Sequence, residues 1–402
     1  MNMKKNLLVA GLLALGLGAT SCSENTAVDT PQATTGAISF RTLNDYAKTR
    51  GTEVTTGTMN QTGVKFNVWA QDAGQTAFRM NGVEVEYDGA TYFKSTADYF
   101  WPESGDVNFW AVYNNYVGTT TVDNTTKNIT GFVPTAAHGT EPMTDLQKDL
   151  VMAYGTGNKA GNEATGMPLN FQHALSQIEF QALNNSPSYD VYIAGISIHN
   201  LDGSADVTFQ AAAADKPTWT NNGNAATAAV EYHNLGSFPS AAVGTTAGAV
   251  TSGAAAGSNF MLIPQDITAY AAGTITGSFA RVYIQVRDKS SGDIIYPYAT
   301  NGGGPVTTSN ENNVAAADVP LPAITWEAGK KYIYTLDFSN GVGNKPFTPV
   351  TPNPNPGVNP EPVVPTPSPD PTPTPTPILG QPIKFVVTVE AWADGGTHNI
   401  NM

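Results

Sequence analysis

Side chains able to do chemistry are sparse in this chain. Cys22 is its only cysteine among 402 residues. It follows Ala19-Thr20-Ser21, at the end of a run of about 13 mostly apolar residues, Leu7 to Ala19, preceded by Lys4 and Lys5. A basic start, a short apolar stretch and small residues before a cleavage point make a secretory signal over residues 1–21. The run is too short to cross a bilayer as a helix, which needs about 20 residues. A cysteine at the first mature position fits a lipoprotein signal, in which the thiol sulfur carries a lipid. Cys22 is then an anchor, and the absence of a partner thiol needs no further explanation.

The other candidates do not converge. His138, His173, His199, His233 and His398 form no HExxH, and no two stand at metal-ligand spacing. His173, in an apolar stretch, is expected to be a structural residue. Asp202-Gly203-Ser204-Ala205-Asp206 has the flavour of a calcium loop, but Ala213 holds the position where an EF-hand needs Glu, so a turn is expected. Gly302-Gly303-Gly304 runs into Pro305 and not into a helix with Lys-Ser/Thr, which removes a phosphate loop. No GxSxG is present. These patterns point to no catalytic residue, metal or cofactor. Of the six tryptophans, Trp69, Trp101, Trp110, Trp326 and Trp392 sit in strand-like surroundings. Trp219, in an Asn/Thr-rich stretch, is the expected exposed ring and a possible sugar-stacking face.

Without residues 1–21 the formal charge moves from −14 to about −16, since only Lys4 and Lys5 are lost. So acidic a surface excludes nucleic acid and anionic headgroups as partners, because phosphate binding needs a positive field. Membrane attachment then falls to the Cys22 lipid.

The elements that must position these residues read as strands. Only 13% of residues are charged, and Gly, Thr, Asn and Ala are abundant. Residues 22–36 are small and polar, a tether. Ala37 to Leu43, Val64 to Ala70 and Asp106 to Tyr113 carry strand patterns. Met80 to Gly89 is a further strand with turn signals at Asn81-Gly82 and Asp88-Gly89. Asp145 to Ala153 is expected as a short helix or turn. Leu169 to Phe180 is apolar with mixed period. Val191 to Leu201, Val207 to Phe209, Phe260 to Gln265, Ala280 to Val286 and Tyr332 to Phe338 follow as strands. Residues 240–258, mostly Ala, Gly, Ser and Thr, are expected as a surface loop. Strands at this spacing indicate an all-β chain of sandwich domains, with expected bounds 37–165 and 166–345.

Composition changes abruptly at Pro346. Between Pro346 and Pro382, 15 of 37 residues are proline. Such a segment favours polyproline II, a semi-rigid linker of up to about 115 Å at ~3.1 Å per residue. Residues 383–402 follow, opening with Ile383-Lys384-Phe385-Val386-Val387-Thr388-Val389. A lone strand is not stable in water and must pair. Ile383, Phe385, Val387 and Val389 share one face, and burying them is worth about 6–12 kcal/mol as an upper bound. The groove that takes this strand belongs either to its own chain or to a neighbour.

In order, these segments resemble the fimbrillin family, subunits of the type V pili of Bacteroidales. The likeness rests on the lipoprotein signal, Thr49-Arg50-Gly51, Tyr99-Phe100-Trp101-Pro102 and the strand through Val107, Phe109, Ala111 and Tyr113. It continues through Leu169-x-Phe171-x-His173-x-Leu175-Ser176, Leu262-Ile263-Pro264-Gln265, Trp326-x-x-Gly329-x-x-Tyr332-x-Tyr334-x-Leu336 and Val387-x-Val389-x-x-Trp392. The resemblance implies two transthyretin-like β-sandwiches and assembly by donor-strand exchange. A trypsin-like protease cuts after an arginine, the first strand leaves, and a neighbour's strand takes its place. Arg50 matches that arginine by its position after the first strand, and Arg41, inside the strand, is the alternative. The proline-rich insertion departs from the plain stalk pattern.

Taken together, these readings describe a non-enzymatic surface pilus subunit with a role in adhesion. It would be held at the outer membrane by Cys22, with other pilus subunits as partners and surface glycans or proteins as possible ligands. The alternative is a surface glycan-binding lipoprotein that does not polymerise. The roughly 20-residue C-terminal piece is too short to fold alone as a binding module, which favours strand complementation.

Overall fold

The computed structural model describes residues 36–42, 59–114, 121–134, 149–221, 241–250, 260–270, 277–297, 314–345, 377–380, 383–391 and 400–401. Cys22 and Arg50 lie outside them. The described chain from Gly36 onward forms one compact unit. It is almost wholly β. A helical turn, α1 (Lys159–Asn162), is capped by Asn158, whose Oδ1 accepts from Gly161 N–H at 3.0 Å.

In the N-terminal half lie β1 (Phe40–Thr42), β2 (Lys65–Asp72), β3 (Met80–Tyr87), β4 (Phe93–Ser95), β5 (Val107–Asn114), β6 (Asn128–Phe132), β7 (Leu150–Gly157), β8 (Met167–Leu169) and β9 (Gln172–His173). All but β6 form one eight-stranded sheet in the order β8-β1-β4-β3-β2-β5-β7-β9. The sheet curls until β8 meets β7: a Cβ on Gly155 would come 2.6 Å from Met167 Cε. Inside the curl are Phe40, Phe66, Val68, Val85, Phe93, Phe109, Val151, Met167 and Phe171, all buried.

Two local expectations change here. Asn81-Gly82 lies inside β3 and not at a hairpin tip. Val68 pairs with Val83 and Ala70 with Met80, so one residue of β2 faces two of β3. Gly82 takes a φ of +64° there, against the Trp69 ring. The dipeptide supplies a bulge, which uses the same positive-φ tolerance as a turn. Asp88-Gly89 is a turn, with Asp88 Oδ1 accepting from the N–H groups of Ala90, Thr91 and Tyr92. The helix or turn expected at Asp145 to Ala153 is replaced, in its described part, by strand β7. Leu150 and Met152 pack outside the curl while Val151 and Ala153 pack inside it. Burial on both faces removes the polar alternation that marks a strand in sequence.

In the C-terminal half lie β10 (Ser176–Leu183), β11 (Tyr189–His199), β12 (Ala205–Thr208), β13 (Thr218–Asn221), β14 (Gly248–Ala249), β15 (Phe260–Leu262), β16 (Asp266–Ile267), β17 (Phe279–Asp288), β18 (Ile294–Tyr296), β19 (Ala315–Pro320), β20 (Ile324–Thr325), β21 (Lys330–Asp337), β22 (Lys384–Ala391) and β23 (Ile400–Asn401). One sheet runs β14-β10-β21-β22-β23, with β15 also on β10. The other centres on β17, flanked by β11 on one side and by β18 and β19 on the other. Between them lie Ile178, Phe180, Tyr332, Tyr334 and Leu336 from the first sheet. Val191, Ile196, Ile198, Val282, Ile284 and Val319 come from the second. A register shift between Ile193 and Gly195 in β11 lets apolar residues on either side of it reach the same core.

Residues 241–250, expected as part of a surface loop, cover the edges of both sheets. β14 pairs with β10, and Val243 N–H donates to Val191 O at 2.8 Å. This occupies backbone groups that an open edge would leave unpaired.

The halves share a core. A third sheet, β13-β12-β6, joins Ile129 and Phe132 to Val207, and these pack on Trp69, Trp110 and Met152 from the outer face of the curled sheet. β8 and β9 lie after residue 165, yet they pair in the first sheet.

Candidate assembly groove

β1 is three residues long, yet it lies between β4 and β8. Phe40 pairs antiparallel with Phe93 on one side and parallel with Met167 on the other, and Arg41 and Thr42 pair with Pro168 and Leu169. Ile38 N–H donates to Tyr99 O at 2.7 Å, and Met167 N–H donates to Ser39 O at 2.7 Å. Alternation sends Ile38 and Phe40 inward, where Phe40 is fully buried. The Phe40 ring meets Phe109 at 5.5 Å and Phe66 at 6.3 Å, both edge to face. Phe66 in turn contacts Phe93 and Phe171 at 4.7 and 5.1 Å. Trp101, from the Tyr99-Phe100-Trp101-Pro102 segment, meets Phe109 from another direction at 5.5 Å.

A strand paired on both sides leaves a slot when removed. The slot would have backbone groups of β4 and β8 along its walls and an aromatic floor of Phe66, Phe93, Phe109 and Phe171. Such a slot selects an extended chain with apolar residues at alternate positions. Arg41 is half-buried in the ladder, opposite Pro168.

The C-terminal strand is placed in its own chain. β22 pairs antiparallel with β21 over eight residues, from Lys330 opposite Ala391 to Asp337 opposite Lys384. Ile383 and Val389 are buried, and Val387 packs on the same core. Phe385 stands opposite Leu336 in the ladder, and its side chain lies outside the description. Val386, on the other face, is 62% exposed.

The C-terminal half also holds polar arrangements that sequence reasoning did not anticipate. Arg281 Nε and Nη2 donate to the two Asp318 carboxylate oxygens at 2.8 and 2.9 Å, with both side chains buried. No local signal marks the pair, since β17 and β19 bring it together. In the Trp326-x-x-Gly329-x-x-Tyr332-x-Tyr334 segment, Tyr332 O–H donates to Thr325 O and accepts from Glu327 N–H, both at 2.8 Å. Trp326 Nε1–H donates to Tyr334 Oη at 3.0 Å. Burial pushes the Tyr332 hydroxyl up to about 12 and that of Tyr334 higher still.

Other candidates among the described residues have structural surroundings, while His138, His233, His398, Trp392 and Gly302-Gly303-Gly304 lie outside them. His173 Nδ1 lies 2.7 Å from Asp149 Oδ2, with both residues buried. Asp206 Oδ1 accepts from Gly131 N–H at 2.7 Å, and Asp202 N–H donates to Gln265 Oε1 at 2.8 Å. Trp219, expected to be exposed, is half-buried. Its Nε1–H donates to Ala174 O at 2.6 Å and its ring meets Phe132 edge-on at 5.5 Å. The polar sequence around it describes the strand's outer face and its flanks, while the ring turns into the shared core. Among the described residues no helix is long and apolar enough to cross a membrane.

The chain belongs to the fimbrillin-like family, whose model matches residues 49–352. It is similar in structure to a fimbrial protein from Bacteroides vulgatus ATCC 8482. That likeness has 13% identity and a TM-score of 0.49, covering 89% of this chain and 99% of the other. It is also similar to a "putative cell adhesion protein" from Bacteroides ovatus ATCC 8483, with 14% identity, a TM-score of 0.40 and coverage of 75% and 92%. A third likeness is to a "putative cell adhesion protein" from Parabacteroides distasonis ATCC 8503, with 11% identity, a TM-score of 0.43 and coverage of 90% and 98%. No curated protein matches the chain.

Proposed function

We propose that this chain is a structural subunit of a surface pilus, exported as a lipoprotein through Cys22 and made competent for assembly by cleavage after Arg50. The observation that carries the reading is the place of Phe40: a fully buried anchor on a three-residue strand wedged between two others. Burial of Ile38 and Phe40 is worth about 3–6 kcal/mol as an upper bound. That is enough to keep the slot closed before cleavage. A longer strand from another subunit, with more alternating apolar residues, would displace it.

Cys22 and β1 lie on the same side of Arg50. One cut therefore frees the body from its lipid and, once β1 leaves, opens the slot. Outer-membrane attachment and incorporation into a pilus become successive states of one molecule. Adhesion follows from surface display in a fibre, and no catalytic role is part of the reading.

The test is mass spectrometry of the surface protein with cell fractionation. The expected body begins at Gly51 and is recovered in the high-mass fibre fraction, while Arg50→Ala stays lipidated and membrane-bound. Cys22→Ser should lose acyl labelling and membrane association. Equal partition of Cys22→Ser and wild type into detergent overturns the anchor. Fibre incorporation of Arg50→Ala at the normal rate, with Arg41 uncut, overturns the processing step.

A further inference from the structure

The two ends of the proline-rich segment meet at one place. Asn344, just before the segment, forms an antiparallel bridge with Pro377 at its far end, and Gly341 forms another with Gly380. Ile378 N–H donates to Gly343 O at 2.9 Å between them. Residues 341–344 and 377–380 are thus the two sides of a short ribbon. A linker that carries the last strand away from the body would have no such stem.

The stem is fastened to the sandwich from both sides. Asn344 is buried and exchanges both backbone hydrogen bonds with Asp318, at 2.9 and 3.0 Å, and its Nδ2 donates to Asp318 O at 3.2 Å. The Asp318 carboxylate is held by Arg281. Gly343, at φ +103°, packs so closely that a Cβ would come 2.9 Å from Ala317 Cβ and 3.5 Å from Ile383 Cδ1. Ile378 and Leu379 pack against the same core as Val387 and Val389. At Gly380, with φ +62°, a Cβ would come 2.3 Å from Asn340 O, so glycine alone fits.

Ile383 is three positions beyond Gly380. The stem therefore delivers the last strand directly to its slot beside β21. A tether this short keeps the local concentration of β22 at its own slot far above that of any other chain's copy. We infer that β22 is not exchanged between subunits. Resting on the pilus reading above, the chain then receives a strand at the β1 slot and gives none through β22, so β22 does not link it to a next subunit. A plain stalk subunit must do both.

The test uses the full mature chain from Ser23, which contains no cysteine, carrying Thr335→Cys and Val386→Cys. These residues are direct cross-strand partners in the described register, at a spacing that a disulfide can bridge. Oxidation before and after trypsin removal of the N-terminal segment should give only intrachain disulfides at every concentration. A labelled peptide of residues 382–392 should not bind. Interchain disulfide ladders that grow with concentration, or saturable binding of that peptide, overturn the inference. Adding Gly380→Val, with Gly380→Ala as the milder change, should open the stem and let interchain disulfides appear. If the folded stem variant stays wholly intrachain, the stem does not hold the strand. A labelled peptide of residues 36–43 is added separately to trypsin-processed protein. Its failure to bind would count against the β1 slot itself, and so against the pilus reading, without touching β22.

Discussion

The Phe40 ring stands edge-on to Phe109, with centroids 5.5 Å apart and planes at 79°. This contact ties a three-residue strand to the middle of the curled sheet. Phe40→Ala should therefore lower the stability of the unprocessed chain by about 3–5 kcal/mol. Trypsin-processed protein, which has lost β1 in the proposed mechanism, should melt alike whether made from wild type or from Phe40→Ala. Thermal unfolding before and after processing checks both parts. An equal shift in the two states means that β1 stays in place.

Arg41 is the poorer candidate for cleavage. Arg41 is half-buried and paired in the ladder with Pro168, so a protease must first unfold β1 to reach it. Arg50 lies in a polar, glycine-bearing stretch, the sort of site where nicking concentrates. Limited trypsin digestion followed by intact-mass measurement should show a first cut after Arg50. Arg50→Ala should delay release of the N-terminal segment, and a first cut after Arg41 would reverse the assignment.

Val386 and Val387 are chain neighbours with opposite environments: the first is 62% exposed and the second packs on the core. Val387→Asp should cost several kcal/mol, because an unpaired carboxylate is placed against apolar side chains. Val386→Asp should change stability by no more than about 0.5 kcal/mol. Urea unfolding of the two variants measures the contrast. Equal effects would mean that β22 is not packed as described.

Removing one partner of the buried Arg281–Asp318 pair should be costly. Asp318→Leu strands a buried guanidinium and is expected to lose about 3–5 kcal/mol. The double variant Arg281→Met with Asp318→Leu should recover much of that loss, since neither charge remains buried. Denaturant midpoints of the three proteins form the test.

Alkaline pH should weaken the C-terminal sandwich. The Tyr332 hydroxyl is held neutral by burial, with its folded value pushed up to about 12 against about 10 for an unfolded tyrosine. A group whose folded value is raised contributes stability that is whole below pH ~10 and is lost as pH rises toward 12. Urea midpoints should fall between pH 10 and 12, and Tyr332→Phe should flatten that fall. The difference in phenolate-band absorbance between wild type and Tyr332→Phe should appear only as the protein unfolds.

Much of the architecture was legible in local patterns. Period-two alternation marked β2, β5, β21 and β22, and it put Ile383, Val387 and Val389 on one face, where the structure buries them or packs them on the core. Such alternation is visible whenever one face is buried and the other wet. It fails where both faces are buried, as in β7, and where one backbone conformation serves two purposes, as at Gly82. Composition also misled at Trp219, because a polar neighbourhood describes flanking residues and not the direction of one ring.

By itself the sequence determined the β class and the existence of a last strand that has to pair, and its lone cysteine behind a short apolar run set the expectation of a lipid anchor. Each is a property of a residue or its near neighbours. Tertiary structure alone decided that β1 sits between β4 and β8, that Arg281 meets Asp318, and that Asn344 meets Pro377 across the foot of the proline-rich segment. These relations join residues far apart in the chain. They are set by which edges and cores are left to fill, and no window of local pattern contains that information.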